Sequence, residues 1–247
     1  MCTTGLQWGR VNQYMDRAKS GGFMAKAPVE RKAFLGKIPL FQDLDDELLG
    51  FLADEVHVRL FPAGKVIVYQ GESGGTCHVI TDGRVRVYVV GEDGRELAFH
   101  IMGPGEIFGE MSLFEDLPRS ASVEALEETH TLELDQEVMF RCLQRSPALA
   151  LRLLQSMSAR LRTTTKDAEG LASLPVTERL MRQLQRLAER SGRPVSDGVQ
   201  IMIPLTQQDL AALVGTSRES VNRALVRLRH EGKVRLRGGW IILLHAA

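Results

Sequence analysis

Between residues 56 and 134 the chain is written as short β-prone runs separated by Gly and Asp turns, and no other feature constrains the fold as tightly. The runs are Val66-Ile67-Val68-Tyr69, then His78-Val79-Ile80 before Asp82-Gly83, then Val85 to Val89 before Glu92-Asp93-Gly94, and Leu97 to Met102 before Gly103-Pro104-Gly105. Val85, Val87 and Val89 alternate with Arg86 and Tyr88, the period of a half-buried strand. Strands this short and this closely spaced close on themselves as a compact barrel or jelly roll. Phe34 to Leu52 carries helical apolar spacing interrupted by Pro39. Residues 1–30, broken by Ser20-Gly21-Gly22 and without apolar periodicity, read as a flexible extension, and Met24 is a candidate natural start.

After residue 146 the period changes. Leu149, Leu153, Met157, Leu161, Thr164 or Thr165, Ala168 and Leu171 recur every three or four residues from Pro147 onward, a stripe longer than a small barrel needs. It fits a coiled-coil seam between two subunits, or a helix packed on its own domain. Leu174-Pro175 breaks it. The expected organisation is therefore α+β: an extension over 1–30, a β barrel or jelly-roll over 31–146, a long helix, for dimerisation if the seam reading holds, and hinge over 147–173, and a last domain over 174–247.

Here the charge balance becomes informative. The chain has 31 Lys+Arg and 31 Asp+Glu among 247 residues, so the net formal charge is zero. The zero is a cancellation: residues 1–173 hold 19 basic against 25 acidic residues, and residues 174–247 hold 12 against 6. A basic terminal domain points to a polyanion partner, although a solvated basic face has the same composition. No apolar run approaches a membrane span, and the first residues lack the apolar stretch of a secretory signal, so a cytoplasmic location is expected. Cys2, Cys77 and Cys142 lie too far apart for a disulfide framework, a zinc site or an iron–sulfur cluster.

The basic domain reads as helices and a hairpin. Val176 to Arg190 is amphipathic through Leu180, Leu184 and Leu187, and Ser191 to Gly198 reads as a turn-rich loop. Thr206 with Asp209 forms a capping box at the start of a helix that buries Leu210, Ala211 and Val214. Gly215 supplies a tight turn, and Thr216 or Ser217 caps a second helix through Val221, Leu225 and Leu228. Helix, glycine turn and capped basic helix make a helix-turn-helix, followed by a hairpin over Arg235 to Ile241 with a Gly-Gly turn.

Two constellations carry chemistry. In the first, Gly109 permits close backbone approach, Glu110 can accept from a sugar hydroxyl, Arg119 offers a planar donor fork for phosphate, and Ser120 adds a hydroxyl. The same residues also allow an Arg119–Glu110 surface ion pair. In the second, Arg218, Glu219 and Arg223 share one face at the start of a helix, where Arg can donate to guanine O6 and N7 and Glu can accept from cytosine N4. No nucleophile–base pair stands out, which argues against an enzyme.

The string Phe108-Gly109-Glu110-Met111-Ser112-Leu113 with Pro118-Arg119-Ser120-Ala121-Ser122-Val123 resembles the phosphate-binding cassette of cyclic-nucleotide-binding domains, and residues 34–245 as a whole resemble the Crp/Fnr family of transcription regulators. The resemblance implies a jelly-roll effector domain, a long dimerisation helix and a winged helix-turn-helix. It assigns Gly109, Glu110, Met111, Ser112, Arg119 and Ser120 to a cyclic nucleotide, with Glu110 on the ribose 2′-hydroxyl and Arg119 and Ser120 on the cyclic phosphate. In cAMP-responsive members two adjacent hydroxyls of the long helix, one from each subunit, read adenine, and Thr164 and Thr165 stand at the matching place. One departure is a segment between Phe114 and Arg119 a residue shorter than in the best-known cAMP-responsive member. The Arg-Glu-x-x-x-Arg match implies base reading by Arg218, Glu219 and Arg223 at palindromic TGTGA-like half-sites, with Thr206, Gln208 and Ser217 on phosphates. The loop from Ala188 to Gln200 falls where the family meets RNA polymerase. The expected protein is thus a homodimeric, cAMP-responsive regulator of double-stranded DNA. Alternatives are a member with another effector or none, a cyclic-nucleotide module that regulates a protein partner, and, more distantly, a nucleotide-cleaving enzyme. An iron–sulfur sensor is disfavoured by the cysteine spacing, and a haem sensor would have only the isolated His57, His78 and His100 to draw on.

Overall fold

The structure, a computed structural model, describes residues 28–245. The extension expected over 1–30 therefore lies outside the described residues, as do Cys2 and Met24, except that residues 28–30 open the first helix. Helices α1 (Pro28–Leu35) and α2 (Asp46–Glu55) lie on either side of Pro39, and Asp45 caps α2 by accepting from the Leu48 amide.

Eight strands follow: β1 (His57–Phe61), β2 (Val66–Val68), β3 (Thr76–Asp82), β4 (Val85–Val90), β5 (Glu96–Met102), β6 (Ile107–Phe108), β7 (Ser122–Ala125) and β8 (Thr129–Asp135), with the one-turn helix α3 (Met111–Glu115) between β6 and β7. They form two antiparallel four-stranded sheets, ordered β1-β8-β3-β6 and β2-β7-β4-β5. Val68, Ile80, Val85, Met102, Phe108 and Val123 fill the space between them. A larger core joins Cys77, Val79, Leu132 and Leu134 to α1, α2 and the helix α4 (Gln136–Arg145).

The long helix α5 (Pro147–Ser173) starts on a Ser146 cap and a first-turn proline. Its apolar stripe does not run as one seam. Leu149 and Leu153 are buried in the barrel's helical core, while Leu151, Leu154 and Leu161 are 57, 61 and 68% exposed. The row read from the sequence is packed at home only at its start, at Leu149 and Leu153, and is bare by Leu161; Leu151 and Leu154, outside that row, are bare as well.

Beyond Leu174-Pro175, α6 (Val176–Ser191) buries Leu180, Leu184 and Leu187. Residues Ser191 to Gly198 are not a structureless loop: β9 (Gly192–Val195) and β10 (Gly198–Ile201) pair as a hairpin. Pro194 is tolerated there because β9 is the edge strand of the sheet β11-β12-β10-β9. Helices α7 (Gln207–Val214) and α8 (Arg218–His230) follow, then β11 (Val234–Arg237) and β12 (Trp240–Leu244) around the Gly238-Gly239 turn. The capping box at Thr206 and Asp209 is complete, and Ser217 rather than Thr216 caps α8. Gly215 takes φ +61 between the two helices, and a Cβ there would stand 2.6 Å from Leu171 of α5. A side chain at that turn would therefore strain the backbone and force the Leu171 side chain to move.

Strand β4 departs from its expected pattern. Arg86 and Tyr88 are buried as Val85 is, because the outer face of the β4–β5 pair is covered by α7: Tyr88, Ala98 and Ile101 belong to the same apolar cluster as Leu210, Leu213 and Val214. The alternation was real, but its second face meets a domain instead of water.

Candidate functional site

The β6–α3 turn and the segment before β7 bring the first constellation together. Gly109 adopts φ +80, and a Cβ there would lie 2.6 Å from Arg119 Nη1, so only glycine lets the guanidinium lie against this turn. Arg119 is 7% exposed. It donates to Gly109 O (2.7 Å), Ser112 Oγ (2.9 Å) and Thr76 Oγ1 (3.3 Å), and Ser112 itself donates to Gly109 O. Every one of these partners is neutral, and Arg119 makes no ion pair among the described residues. Burial accordingly pulls its pKa downward. Ser120 is exposed beside the Met111 sulfur, 3.6 Å away, and Met111 is also exposed.

Glu110, only 3% exposed, is not paired with Arg119. Its Oε1 accepts from Arg160 Nη1 of α5 at 2.8 Å, and the other guanidinium nitrogen of Arg160 donates to Ile107 O. Arg160 Nε is buried with no hydrogen-bond partner. One turn further along α5, Thr164 Oγ1 lies 3.2 Å from His100 Nε2 of β5. The long helix thus lays Arg160 and Thr164 over the cassette of its own subunit. Thr165 is not drawn in: it is exposed, and its hydroxyl donates back to Leu161 O within the helix. Arg160, His100 and Thr76 were missed by reading the sequence as a functional site. The signal for Arg160 was its i, i−4 spacing from Thr164, which puts both on one face.

His78 lies beneath the cassette, stacked on Phe108 with ring centroids 5.0 Å apart and 3.1 Å from Thr131 Oγ1. Burial pushes its pKa down to about 4, against the pull of Glu133. His100 is also held at about 4, by burial and then by Arg160 and Arg190. Both folded values lie below the ordinary imidazole value of 6.5, so as pH falls the unfolded chain takes up protons first. Stability should therefore decline from about pH 6.5 to about pH 4 and level off below, by roughly 2–3 kcal/mol per histidine. A melting series over that window measures it, and the double substitution His78→Asn with His100→Gln should flatten the curve. No group of three or more His, Cys, Asp or Glu that could hold a metal occurs among the described residues, and Cys77 and Cys142 are buried free thiols.

The second constellation lies on the open side of α8. Arg218, Glu219 and Arg223 are exposed, as are Thr206, Gln208 and Ser217. Arg223 donates to Ser220 Oγ at 2.8 Å. Glu219 is held below the usual carboxylate range by its own backbone amide, by the Ser217 hydroxyl, and then by Arg218 and Arg223. A charged, acceptor-only carboxylate between two donor forks can distinguish bases in a major groove.

A barrel with a buried, anion-seeking arginine joined through a long helix to a winged helix-turn-helix defines a ligand-binding DNA regulator. Comparison with known proteins agrees. Residues 58–146 match the cyclic nucleotide-binding domain family and residues 178–247 the Crp-like helix-turn-helix domain. The chain is 32% identical over 209 residues to the CRP-like cAMP-activated global transcriptional regulator of Mycobacterium tuberculosis, covering 85% of this chain and 93% of that one. It is 35% identical over 209 residues to the cyclic AMP receptor protein of Thermus thermophilus, with 85% and 94% covered. Among solved structures, the c-di-GMP responsive regulator CLP of Xanthomonas campestris superposes with a TM-score of 0.69 at 31% identity, covering 82% of this chain and all of that one. The chain belongs to the Crp/Fnr family of transcription regulators: it is a DNA-binding, cyclic-nucleotide-binding regulator and not an enzyme. No helix among the described residues is long and apolar enough to cross a membrane.

Proposed function

We propose that the chain is a homodimeric cytoplasmic regulator whose effector is cAMP. The observation that carries this is Arg119, a buried cation whose partners are all neutral, set beside the acceptor Glu110. A cyclic phosphate supplies the missing anion, and a ribose hydroxyl next to it supplies a donor to the carboxylate. Gly109, Met111, Ser112 and Ser120 line this subsite, and Thr164, with Thr165 of a second copy, reads the base. The bare row Leu151, Leu154 and Leu161 supports a dimer seam along α5. The organisation proposed is an effector domain over 31–146, the dimerisation helix over 147–173 and the DNA-binding domain over 174–247.

A ligand wedged between barrel and helix biases the helix, and through it the spacing of the two copies of α8, which must reach major grooves about 34 Å apart. Arg218, Glu219 and Arg223 read TGTGA-like half-sites, while Thr206, Gln208 and Ser217 set the register on phosphates. The exposed tip of the β9–β10 hairpin is offered to RNA polymerase. Titration calorimetry with cAMP, followed by DNA binding with and without it, tests the whole reading; no binding at near-millimolar cAMP overturns the effector. A second effector class, c-di-GMP, is favoured by the likeness to CLP, and the same calorimetry with c-di-GMP separates the two.

Arg218→Ala is expected to relax preference at one base position by about 1–3 kcal/mol and leave the others unchanged, as read by competition with single-mismatch duplexes. A uniform loss over all sequences would make Arg218 a phosphate contact.

A further inference from the structure

Between the barrel and α6 lies a cleft of about 490 Å³ that neither the cassette nor the recognition helix uses. One wall is the turn Asp82-Gly83-Arg84 that joins β3 to β4, and the other is the C-terminal end of α6 at Arg190 and Ser191. Its floor is apolar, with Ile101 and Met102 coming from β5 and Leu187 and Ile203 from the last domain. Cavities of this size, set where two domains meet, are common places for small ligands.

The Asp82-Gly83-Arg84 turn is rigid. Gly83 takes φ +82, and a Cβ there would lie 2.4 Å from Glu128 O. Arg84 O accepts from the Leu126 amide (2.9 Å) and the Thr129 hydroxyl (3.2 Å). Two side chains of opposite charge are thereby fixed on either side of one glycine at the edge of the cleft. Neither is fully engaged. The Asp82 carboxylate has no hydrogen bond or ion pair among the described residues. Arg84 uses Nη1 on Glu127 (2.8 Å) and Nε on Ser191 Oγ (3.4 Å), which leaves Nη2 without a partner.

The end of α6 adds to the cation-seeking side, since the last carbonyls of a helix carry partial negative charge. Arg190 does not offset this, because Glu106 already holds it. The chemistry that fits is a zwitterion with an apolar body. Its ammonium meets Asp82 and the end of α6, a carboxylate on the same carbon meets the free edge of Arg84, and its side chain lies on the apolar floor. A dicarboxylate would set like charge against Asp82, and a simple amine would leave the Arg84 edge bare.

We propose that this cleft is a binding site for a free α-amino acid with an apolar side chain. Both domains build it, so its ligand strengthens this arrangement of barrel and last domain over any in which α6 stands elsewhere. The inference rests on neither the effector nor the DNA sequence assigned above.

The test titrates the full chain, without nucleotide, in a calorimeter with L-leucine and with L-phenylalanine. Isoamylamine and isocaproate follow, each of which keeps the leucine side chain and one of the two charges. At least one amino acid is expected to bind saturably at or below about 1 mM, within reach of a ligand this small. Each one-charge analogue should bind at least about tenfold more weakly, the scale of one hydrogen bond to a charged group. Asp82→Asn keeps the shape of a side chain that holds no partner, so it should fold as wild type and lose about tenfold in affinity. Gly103→Leu fills the cleft from the barrel side, where a Cβ meets Arg84 Cγ at an ordinary 3.9 Å, and should abolish binding. Absence of saturable heat from both amino acids at about 10 mM overturns the site, as does affinity of Asp82→Asn within about threefold of wild type. Undiminished binding by folded Gly103→Leu does the same, and should that variant fail to fold, Asp82→Asn decides.

Discussion

Arg119→Leu is expected to lower cAMP affinity by roughly 10²–10³-fold while leaving the nucleotide-free protein about as stable as wild type. The affinity loss follows from hydrogen bonds to a charged group, worth about 1.5–3 kcal/mol each, of which a planar fork makes two to one phosphate. The stability expectation follows from the surroundings of Arg119. Gly109 O loses one donor, and Ser112 Oγ loses another but keeps its own bond to Gly109 O. Against this, a desolvated cation without a counter-ion disappears from a site 7% exposed. The two terms have opposite signs and similar size. Calorimetry with cAMP and a melting curve read them separately. Arg119→Lys should recover the charge but not the fork, and so only part of the affinity. Affinity within threefold of wild type for Arg119→Leu would remove Arg119 from the phosphate site. A large fall in melting temperature would show its main task to be bracing the Gly109 turn.

Much of the fold was legible because its signals are local. Strand spacing, the Thr206–Asp209 box, the Gly215 turn and the Leu180, Leu184, Leu187 row each depend on residues within one or two turns of chain, and each has its expected structure. What was not legible depends on what lies opposite. Arg86 and Tyr88 looked like the wet side of a strand, and α7, more than a hundred residues later, covers them. The α5 stripe changes along its length for the same reason: apolar spacing reports that a face is buried but not by which surface, so Leu153 and Leu161 cannot be told apart until the barrel is placed. At the site, cassette and long helix were each found, yet the pairing was not. Glu110 and Arg119, nine positions apart, invited an ion pair, and the actual partner of Glu110 is Arg160, fifty positions away. A charged residue can be assigned a type of partner from sequence, but which one it meets is settled by tertiary geometry.

Arg160→Met is expected to cost about 3–5 kcal/mol of stability in the nucleotide-free protein, because it strands a carboxylate that is 3% exposed. For a chain of this size that is a fall of roughly 6–20 °C in melting temperature, at about 2–4 °C per kcal/mol. The same substitution removes the donor to Ile107 O, which fastens α5 to the strand leading into the cassette. The two effects are separable. Adding Glu110→Gln replaces the stranded charge by a neutral amide, so the double variant should regain most of the loss, and what remains measures the Ile107 tie and the packing of the arginine stem. Equal melting temperatures for the single and double variants would mean that Glu110 finds other solvation and that the ion pair contributes little. The distinction bears on ligand entry. If Glu110 depends on Arg160 when the site is empty, a ribose hydroxyl arriving at that carboxylate must share it with the long helix, and binding then changes the force that holds α5 on the barrel. If it does not, α5 is held by the Ile107 tie, by Leu149 and Leu153 and by the Arg152–Asp43 pair, and the ligand moves the helix through Thr164 instead of through Glu110.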